Sequence, residues 1–463
     1  MREAVSGVAF LLFPQADGSY PEPERVVLEP LGGPIGAGPA DDRMRVVDAL
    51  GKTPYDPPSY LPPWKGPVAQ AARPGRHGHF DHLAVGTRQF AQAHLFGCMR
   101  LTLNVWERFL GHRIHWSGAE VFPVLELVPL VEWPNAQSGP GFLETGAVRN
   151  AEGDERAYCL NLDVIAHEVG HTVLFAELGT PLPGRLTAQF LAFHECFADL
   201  TTIIAALQFD SVVDRVLAES GGNLYAENEI NRIAELSSTE QIRLADTTAK
   251  MADVAAITLA EDGTWRDGTG RGRNAHALAE PLTGALFDFF VNLFQERLVA
   301  DGIVPPDDDP RGWTRDEIAA RLGRLERVHR ACLLRSAPAF RTALFHARDG
   351  LALTLARTIA HLGPDDLSFD GVAGAMRDVV LALFGEPMAE TLDDIMAWRG
   401  IAPRRAPSEP RQGRRRYTPV QPFAAQMRAA RAACCGPSPR GRPLAHALEL
   451  GRLVRQDHRE PRA

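Results

Sequence analysis

Two histidines and a glutamate in one short apolar stretch have the spacing of a metal site. The stretch reads Asp163-Val-Ile-Ala-His-Glu-Val-Gly-His171 and contains the pattern His-Glu-x-x-His. An α-helix turns by about 100° per residue, so histidines four positions apart lie about 40° apart on one face and can reach one ion. Glu168 is rotated aside from His167, where it can contact a water on the metal without being a ligand. The pattern predicts His167 and His171 as ligands and Glu168 as a catalytic group.

A hydrolytic zinc site needs a third protein ligand and leaves the fourth position to water. One continuation of the motif uses a glycine and then a third histidine, but Leu174 and Glu177 stand at those positions here. The next predicted helix offers Glu195, across a Pro/Gly turn that lets the two helices pack side by side. Asp199 shares the face of Glu195 and can accept the second N–H of a ligand histidine. The pattern therefore predicts Zn²⁺ as the cofactor, Glu195 as its third ligand, and Asp199 as a carboxylate behind His167.

Apolar spacing, proline and glycine predict the elements that position these side chains. Near-helical spacing predicts a long helix over 81–111, and β-rich runs predict a small sheet before residue 161. The predicted strands cover 121–133, 142–148 and 157–160. The two site helices are predicted over 163–178 and 186–208. Most of the sequence after residue 211 is typical of helices, notably 282–298, 314–334 and 371–398.

Composition divides the chain into four predicted regions. Residues 14–74 contain 13 prolines, which disfavours helices and predicts a Pro-rich irregular leader over 1–80. The site helices belong to an N-terminal lobe over 81–210, and a helical C-terminal lobe follows over 211–403. Residues 404–463 are rich in Arg, Pro and Gly and are predicted to be a disordered tail that catalysis does not need.

Charge and cysteine usage argue against several classes of function. The formal charge of the chain is −9, and residues 404–463 contribute +10, so the first 403 residues carry −19. An acidic body repels nucleic acid, and the basic tail is most simply a solvated tether, so no nucleic-acid partner is predicted. The six scattered cysteines form no C-x-x-C pair, and neither a signal peptide nor a membrane-spanning apolar run is recognised. These features predict a cytoplasmic protein without a membrane partner.

The motif His167-Glu-Val-Gly-His171, followed by Glu195-x-x-x-Asp199, resembles the thermolysin family of zinc peptidases, the gluzincins. Asn135-Ala136 resembles the Asn-Ala of that family's substrate-binding edge strand. The segment around His276 resembles the one that supplies the family's second catalytic histidine. The resemblance implies an α+β fold, a two-lobe zincin. In it, a small mixed sheet with helices precedes a mostly helical C-terminal lobe, and zinc lies at their junction.

The resemblance also implies an activity, the hydrolysis of peptide bonds in a peptide or protein substrate. Zinc would activate water, Glu168 would act as general base, and His276 would stabilise the oxyanion. This sequence departs from the family in a longer gap between His171 and Glu195, in having no tyrosine within that gap, and in lacking the acidic cluster of calcium sites. The alternative is a catalytically inactive zinc-binding scaffold, which would need a fourth ligand such as His194. The intact Glu168 favours catalysis.

Overall fold

The computed structural model describes most of the chain between residues 7 and 402. The described residues are 7–16, 19–29, 33–149, 155–225, 230, 232–233, 243–245, 247–260, 265–266, 275–311, 313 and 315–402. The predicted tail over 404–463 lies outside the described residues, so its prediction stands untested.

The N-terminal part begins with a strand pair that packs on a long helix. β1 (Val8–Leu12) and β2 (Glu24–Leu28) are antiparallel, and α1 (Arg88–Leu110) lies against β1. The start of α1 is later than the predicted residue 81 because Gly86 has a φ of 86° and Thr87 caps the helix. The helix ends at Gly111, whose left-handed φ of 74° terminates it as predicted.

A mixed sheet packs against the first site helix. Its order is β3 (Met44–Val46), β4 (Leu125–Val128), β6 (Phe142–Thr145) and β5 (Ala136–Gly139). The first three strands are parallel, and β5 is antiparallel to β6. In the part of the chain that the structure describes, β5 is an edge strand. β4 is shorter than the predicted strand because Pro123 and Pro129 flank it.

Buried charges attach the predicted leader to this sheet. β3 comes from the leader, and Lys52 and Glu144 form an ion pair in which both side chains are fully buried. The Tyr55 N–H donates to Glu144 Oε1 over 2.7 Å, and its hydroxyl donates to Glu126 Oε2 over 2.8 Å. Removing one partner of a buried ion pair leaves an uncompensated charge. The leader therefore helps to hold β4 and β6, which carry the two carboxylates.

Short strand pairs connect the larger elements. β7 (Ala147–Arg149) and β8 (Glu155–Ala157) precede a 3₁₀ turn at Tyr158–Leu160. The site helices follow as α2 (Leu162–Glu177) and α3 (Ala188–Ala206), within two residues of their predicted ends. The region predicted to be helical after residue 211 also contains two-residue strands: β9 (Arg232–Ile233), β10 (Arg243–Leu244), β11 (Thr258–Leu259) and β12 (Trp265–Arg266).

The C-terminal part is mostly helical. It contains α4 (Asp210–Ser220), α5 (Met251–Val254), α6 (Ala275–Ala300), α7 (Arg315–His361), α8 (Phe369–Phe384) and α9 (Glu386–Trp398). α6 is longer than the predicted helix over 282–298, because it begins before Pro281 and includes this proline in its N-terminal half. α7 continues past the predicted residue 334 but is kinked at Ser336, two residues before Pro338. Gly385, with a φ of 83°, separates α8 from α9, which were predicted as one helix.

α6 is long and apolar enough, by length and composition alone, to cross a membrane. The pair α3 and α4, bent by 98°, passes the same test. In α6, 78% of the apolar window is buried inside the protein, and buried core helices also meet this criterion. The predicted absence of a membrane partner stays a prediction.

The predicted α+β class is confirmed, with a small mixed sheet and helices followed by a mostly helical part. Side chains from both parts contribute to a continuous apolar core. The three boundaries between the four predicted regions stay predictions.

Candidate metal centre

The two helices that carry the candidate ligands lie in direct contact. Side-chain caps at Asn161 and Thr187 start α2 and α3. Gly170, inside the His-Glu-x-x-His motif, permits their close approach, because a Cβ at this position would lie 2.7 Å from Ala198 Cα. A larger residue there would force the two backbones apart. Gly170 thus lets the motif histidines meet the carboxylates of α3.

Three ligand atoms converge between these helices. The Nε2 atoms of His167 and His171 are 3.1 Å apart, and Glu195 Oε2 lies 3.3 Å from the first and 3.8 Å from the second. Zinc bonds of about 2.1 Å in a tetrahedral site separate two ligand atoms by about 3.4 Å. These separations fit a single ion. Within the described residues, this is the one group of three or more His, Cys, Asp or Glu side chains whose ligand atoms all lie within 4.8 Å of one another.

Burial and charge suit this group to a cation. Burial lowers the pKa of His171 well below its usual range, so the ring is neutral and has a lone pair for a metal. Burial alone would raise the pKa of Glu195, but the nearby His276 holds that pKa well below its usual range. Within the described residues, Glu195 Oε1 is buried without a hydrogen-bond partner. A cation at this position would compensate the buried carboxylate.

Asp199 lies behind His167. Its Oδ1 atom is 3.0 Å from His167 Nδ1, on the side of the ring opposite the nitrogen that faces Glu195. A carboxylate at this position accepts a hydrogen bond from the Nδ1 N–H. The lone pair of the ring is then on Nε2, the nitrogen that faces the other ligands. The contribution of this contact to metal binding stays a prediction.

We expect Asp199→Asn to weaken zinc affinity by about 10- to 100-fold while the fold stays intact. An amide is a weaker acceptor for the Nδ1 proton and can also turn its own NH₂ towards the ring. Competition with a chelator of known affinity measures the change, and circular dichroism checks the fold. Asp210→Asn on α4, at an exposed position away from the group, is the matched control. An unchanged affinity would remove Asp199 from the metal centre.

Glu168 lies between the ligand group and the edge strand β5. Ser138 of β5 donates side-chain and backbone hydrogen bonds to the Glu168 carboxylate. Burial raises the pKa of Glu168, and its Oε2 atom is buried without a hydrogen-bond partner among the described residues. A carboxylate with a raised pKa is suited to accepting a proton and releasing it again near neutral pH.

Asn135 and Ala136 lie at the start of β5. The Asn135 side-chain oxygen accepts a hydrogen bond from the Ala136 N–H over 2.9 Å. The main-chain carbonyl of Asn135 accepts one from the Gly146 N–H over 2.9 Å. Ser138 was missed in the sequence analysis. Strand alternation places residues two positions apart on the same face, so the position of Ser138 relative to Ala136 was a signal for it.

His276 reaches the ligand group from the C-terminal part. It is the second residue of α6, its Nδ1 atom lies 2.7 Å from Glu195 Oε2, and its ring centre is 5.9 Å from that of His167. It is not a member of the three-residue ligand group, and its side chain is 20% exposed. The packing of α6 on α3 brings it there. The preceding segment, 267–274, lies outside the described residues.

We expect His276→Ala to retain zinc and to lower turnover by about 10²- to 10³-fold. The substitution removes an imidazole that lies beside the ligand group and, in this prediction, donates to the oxyanion. The measurement is kcat and KM on a cleaved peptide, with zinc content determined on the same sample. His276→Gln keeps a side-chain N–H donor and should lose less turnover than His276→Ala. A loss below about threefold would show that His276 is not an oxyanion donor.

His194, the proposed fourth ligand of an inactive scaffold, faces another environment. Its ring stacks on His171 with ring centres 5.8 Å apart. It also packs on Phe175 at 4.2 Å and on Phe190 at 4.7 Å. Among the described residues, the ligand group therefore contains three side chains without His194. Three protein ligands with an open fourth position are typical of catalytic zinc sites.

No protein-family model matches this chain. No curated protein matches it either. Among solved structures, the chain is similar to the precursor of protealysin, a metalloproteinase from Serratia proteamaculans. The two are 13% identical, the match covers 77% of this chain and 90% of that chain, and the TM-score is 0.43. A likeness of this degree leaves function to be argued from the residues of this chain.

Proposed function

We propose that this protein is a zinc-dependent peptidase of the thermolysin-like, gluzincin type. The observation that carries the proposal is the convergence of His167, His171 and Glu195 on one point, with Glu168 beside them. The cofactor would be Zn²⁺, because two imidazoles and one carboxylate form a ligand set of catalytic zinc sites. The substrate would be a peptide or a protein.

The residues around the ligand group have complementary roles in this proposal. A zinc ion held there would polarise the scissile carbonyl and lower the pKa of water towards about 7. Glu168 takes the proton of the attacking water and passes it to the leaving amine. His276 donates a hydrogen bond to the oxyanion, and Asp199 keeps His167 in the tautomer that binds the metal.

The edge strand β5 is the proposed binding surface for the peptide backbone. An extended peptide can add to the outer side of an edge strand through main-chain hydrogen bonds. Asn135 and Ala136 lie at the start of this strand, and Ser138 connects it to Glu168. A peptide that pairs with β5 would thus pass close to the proposed general base.

Zinc analysis combined with a peptide-library digest tests the proposal. We expect about one equivalent of zinc per chain, cleavage that stops when a chelator removes the metal, and recovery when zinc is restored. Absence of zinc would contradict the assignment of the metal centre. Stoichiometric zinc with no cleavage of any peptide would instead support the inactive scaffold.

A further inference from the structure

A small pocket lies beside the site and takes no part in the proposed chemistry. Its volume is about 20 Å³, and its walls include Trp116, Ser117, Ser138, Thr172 and Phe175. A space of this size holds about one water molecule or one methyl group. It is partly open, so a group from outside can enter it.

The pocket is aligned with the proposed general base. Glu168, Thr172 and Phe175 are spaced i, i+4 and i+7 and so lie on one stripe of α2. Ser138 lines the pocket and also donates to the Glu168 carboxylate. Four helical residues rise about 6 Å, and one residue of an extended peptide spans about 3.4 Å. A side chain in the pocket would therefore belong to a residue within about two positions of the scissile bond.

Contacts behind the walls keep the pocket from widening. The Trp116 indole N–H donates to Arg43 O over 2.9 Å, and the Thr172 hydroxyl donates to Glu168 O over 3.0 Å. The Phe175 ring packs on the fully buried His194, with ring centres 4.2 Å apart. Well-packed walls of this kind reject an oversized group rather than adapt to it.

We infer that this pocket is a substrate subsite that accepts an alanine-sized side chain and excludes branched and aromatic ones. The inference rests on the proposed peptidase function and adds a substrate class to it. In this inference, His194 holds the Phe175 ring in place by packing against it. One methylene group more or less in such a pocket changes kcat/KM by about 10- to 200-fold.

The test uses a peptide that the wild-type protein cleaves. Each position within three residues of the cleaved bond is replaced in turn by Gly, Ala, Leu and Phe. At one of these positions, we expect the peptide with Ala to have a kcat/KM at least about tenfold higher than the peptides with Leu or Phe. Phe175→Ala enlarges the pocket and should lower this preference by about tenfold or more. Ser117→Leu fills the pocket and should shift the preference from Ala to Gly.

Phe345→Ala is the matched control for these variants. It also removes a phenyl ring, but Phe345 lies in α7, contacts Arg341 and Arg348, and does not line the pocket. It should leave the Ala-to-Leu ratio within about twofold of wild type. Zinc content is measured for every variant, because an intact metal centre separates a change in specificity from a loss of the site.

Two results would overturn the subsite while the proposed peptidase function stands. One is cleavage by the wild type without a preference for small residues at any position. The other is a preference that both Phe175→Ala and Ser117→Leu leave unchanged. If the wild type cleaves no peptide of the library, the proposed peptidase function fails, and the subsite fails with it.

Discussion

Replacing His171 by alanine should strip the protein of zinc. The His171 ring is buried and neutral, and its Nε2 atom lies 3.1 Å from His167 Nε2 and 3.8 Å from Glu195 Oε2. Without it, His167 and Glu195 would remain as a two-ligand set, and catalytic zinc sites use three protein ligands. We expect the metal content to fall from about one equivalent to below about a tenth of one after mild chelation and gel filtration.

Thermal unfolding provides a second measurement of the same loss. A ligand that binds the folded state alone raises its stability, by about 2.7 kcal/mol at a free concentration of 100 Kd. Added zinc should therefore raise the Tm of metal-free wild-type protein and leave that of His171→Ala unchanged. His112→Ala is the control, because His112 pairs with Glu177 outside the ligand group. A full equivalent of zinc in His171→Ala would disprove the ligand assignment.

Replacing Glu168 by glutamine should lower turnover by about 10²- to 10⁴-fold, the range typical of general acid–base catalysis. Glutamine has nearly the same shape and can still accept hydrogen bonds from Ser138, but it cannot take up a proton. Zinc content should stay at the wild-type value, because Glu168 is not a member of the ligand group. Single-turnover kinetics on a peptide that the wild type cleaves would measure the chemical step directly.

Glu177→Gln is the matched control for this variant. Glu177 is the last residue of α2, and its carboxylate contacts His112 Nε2 at 3.0 Å rather than the ligand group. Its substitution should leave turnover within about twofold of wild type. Wild-type turnover in Glu168→Gln would exclude Glu168 as the base. Loss of zinc in the same variant would show that its role is structural.

Local spacing in the sequence was sufficient to predict the site helices and the residues on each face. His167 and His171 share a face of α2, and Glu195 and Asp199 share a face of α3, because a helix repeats every 3.6 residues. The caps and the Pro/Gly turn between these helices are also local features. The α+β class was implied by the resemblance of the site motifs to a known family rather than by spacing. Helix ends that depend on single residues were predicted less accurately. α6 begins before Pro281 rather than after it, and α7 continues beyond its kink at Ser336.

Contacts between residues far apart in the chain were decided only by the tertiary structure. In the sequence, nothing distinguishes Gly170 from the other residues of an apolar helix. In the structure, its lack of a side chain allows α2 to pack closely against Ala198 of α3. His276 contacts Glu195 across 81 positions, and Ser138 contacts Glu168 across 30. Such contacts depend on how helices and strands pack, which is governed by the shape of the whole core rather than by the spacing of neighbours. For the same reason, the pocket between β5 and α2 has no signature in either segment alone.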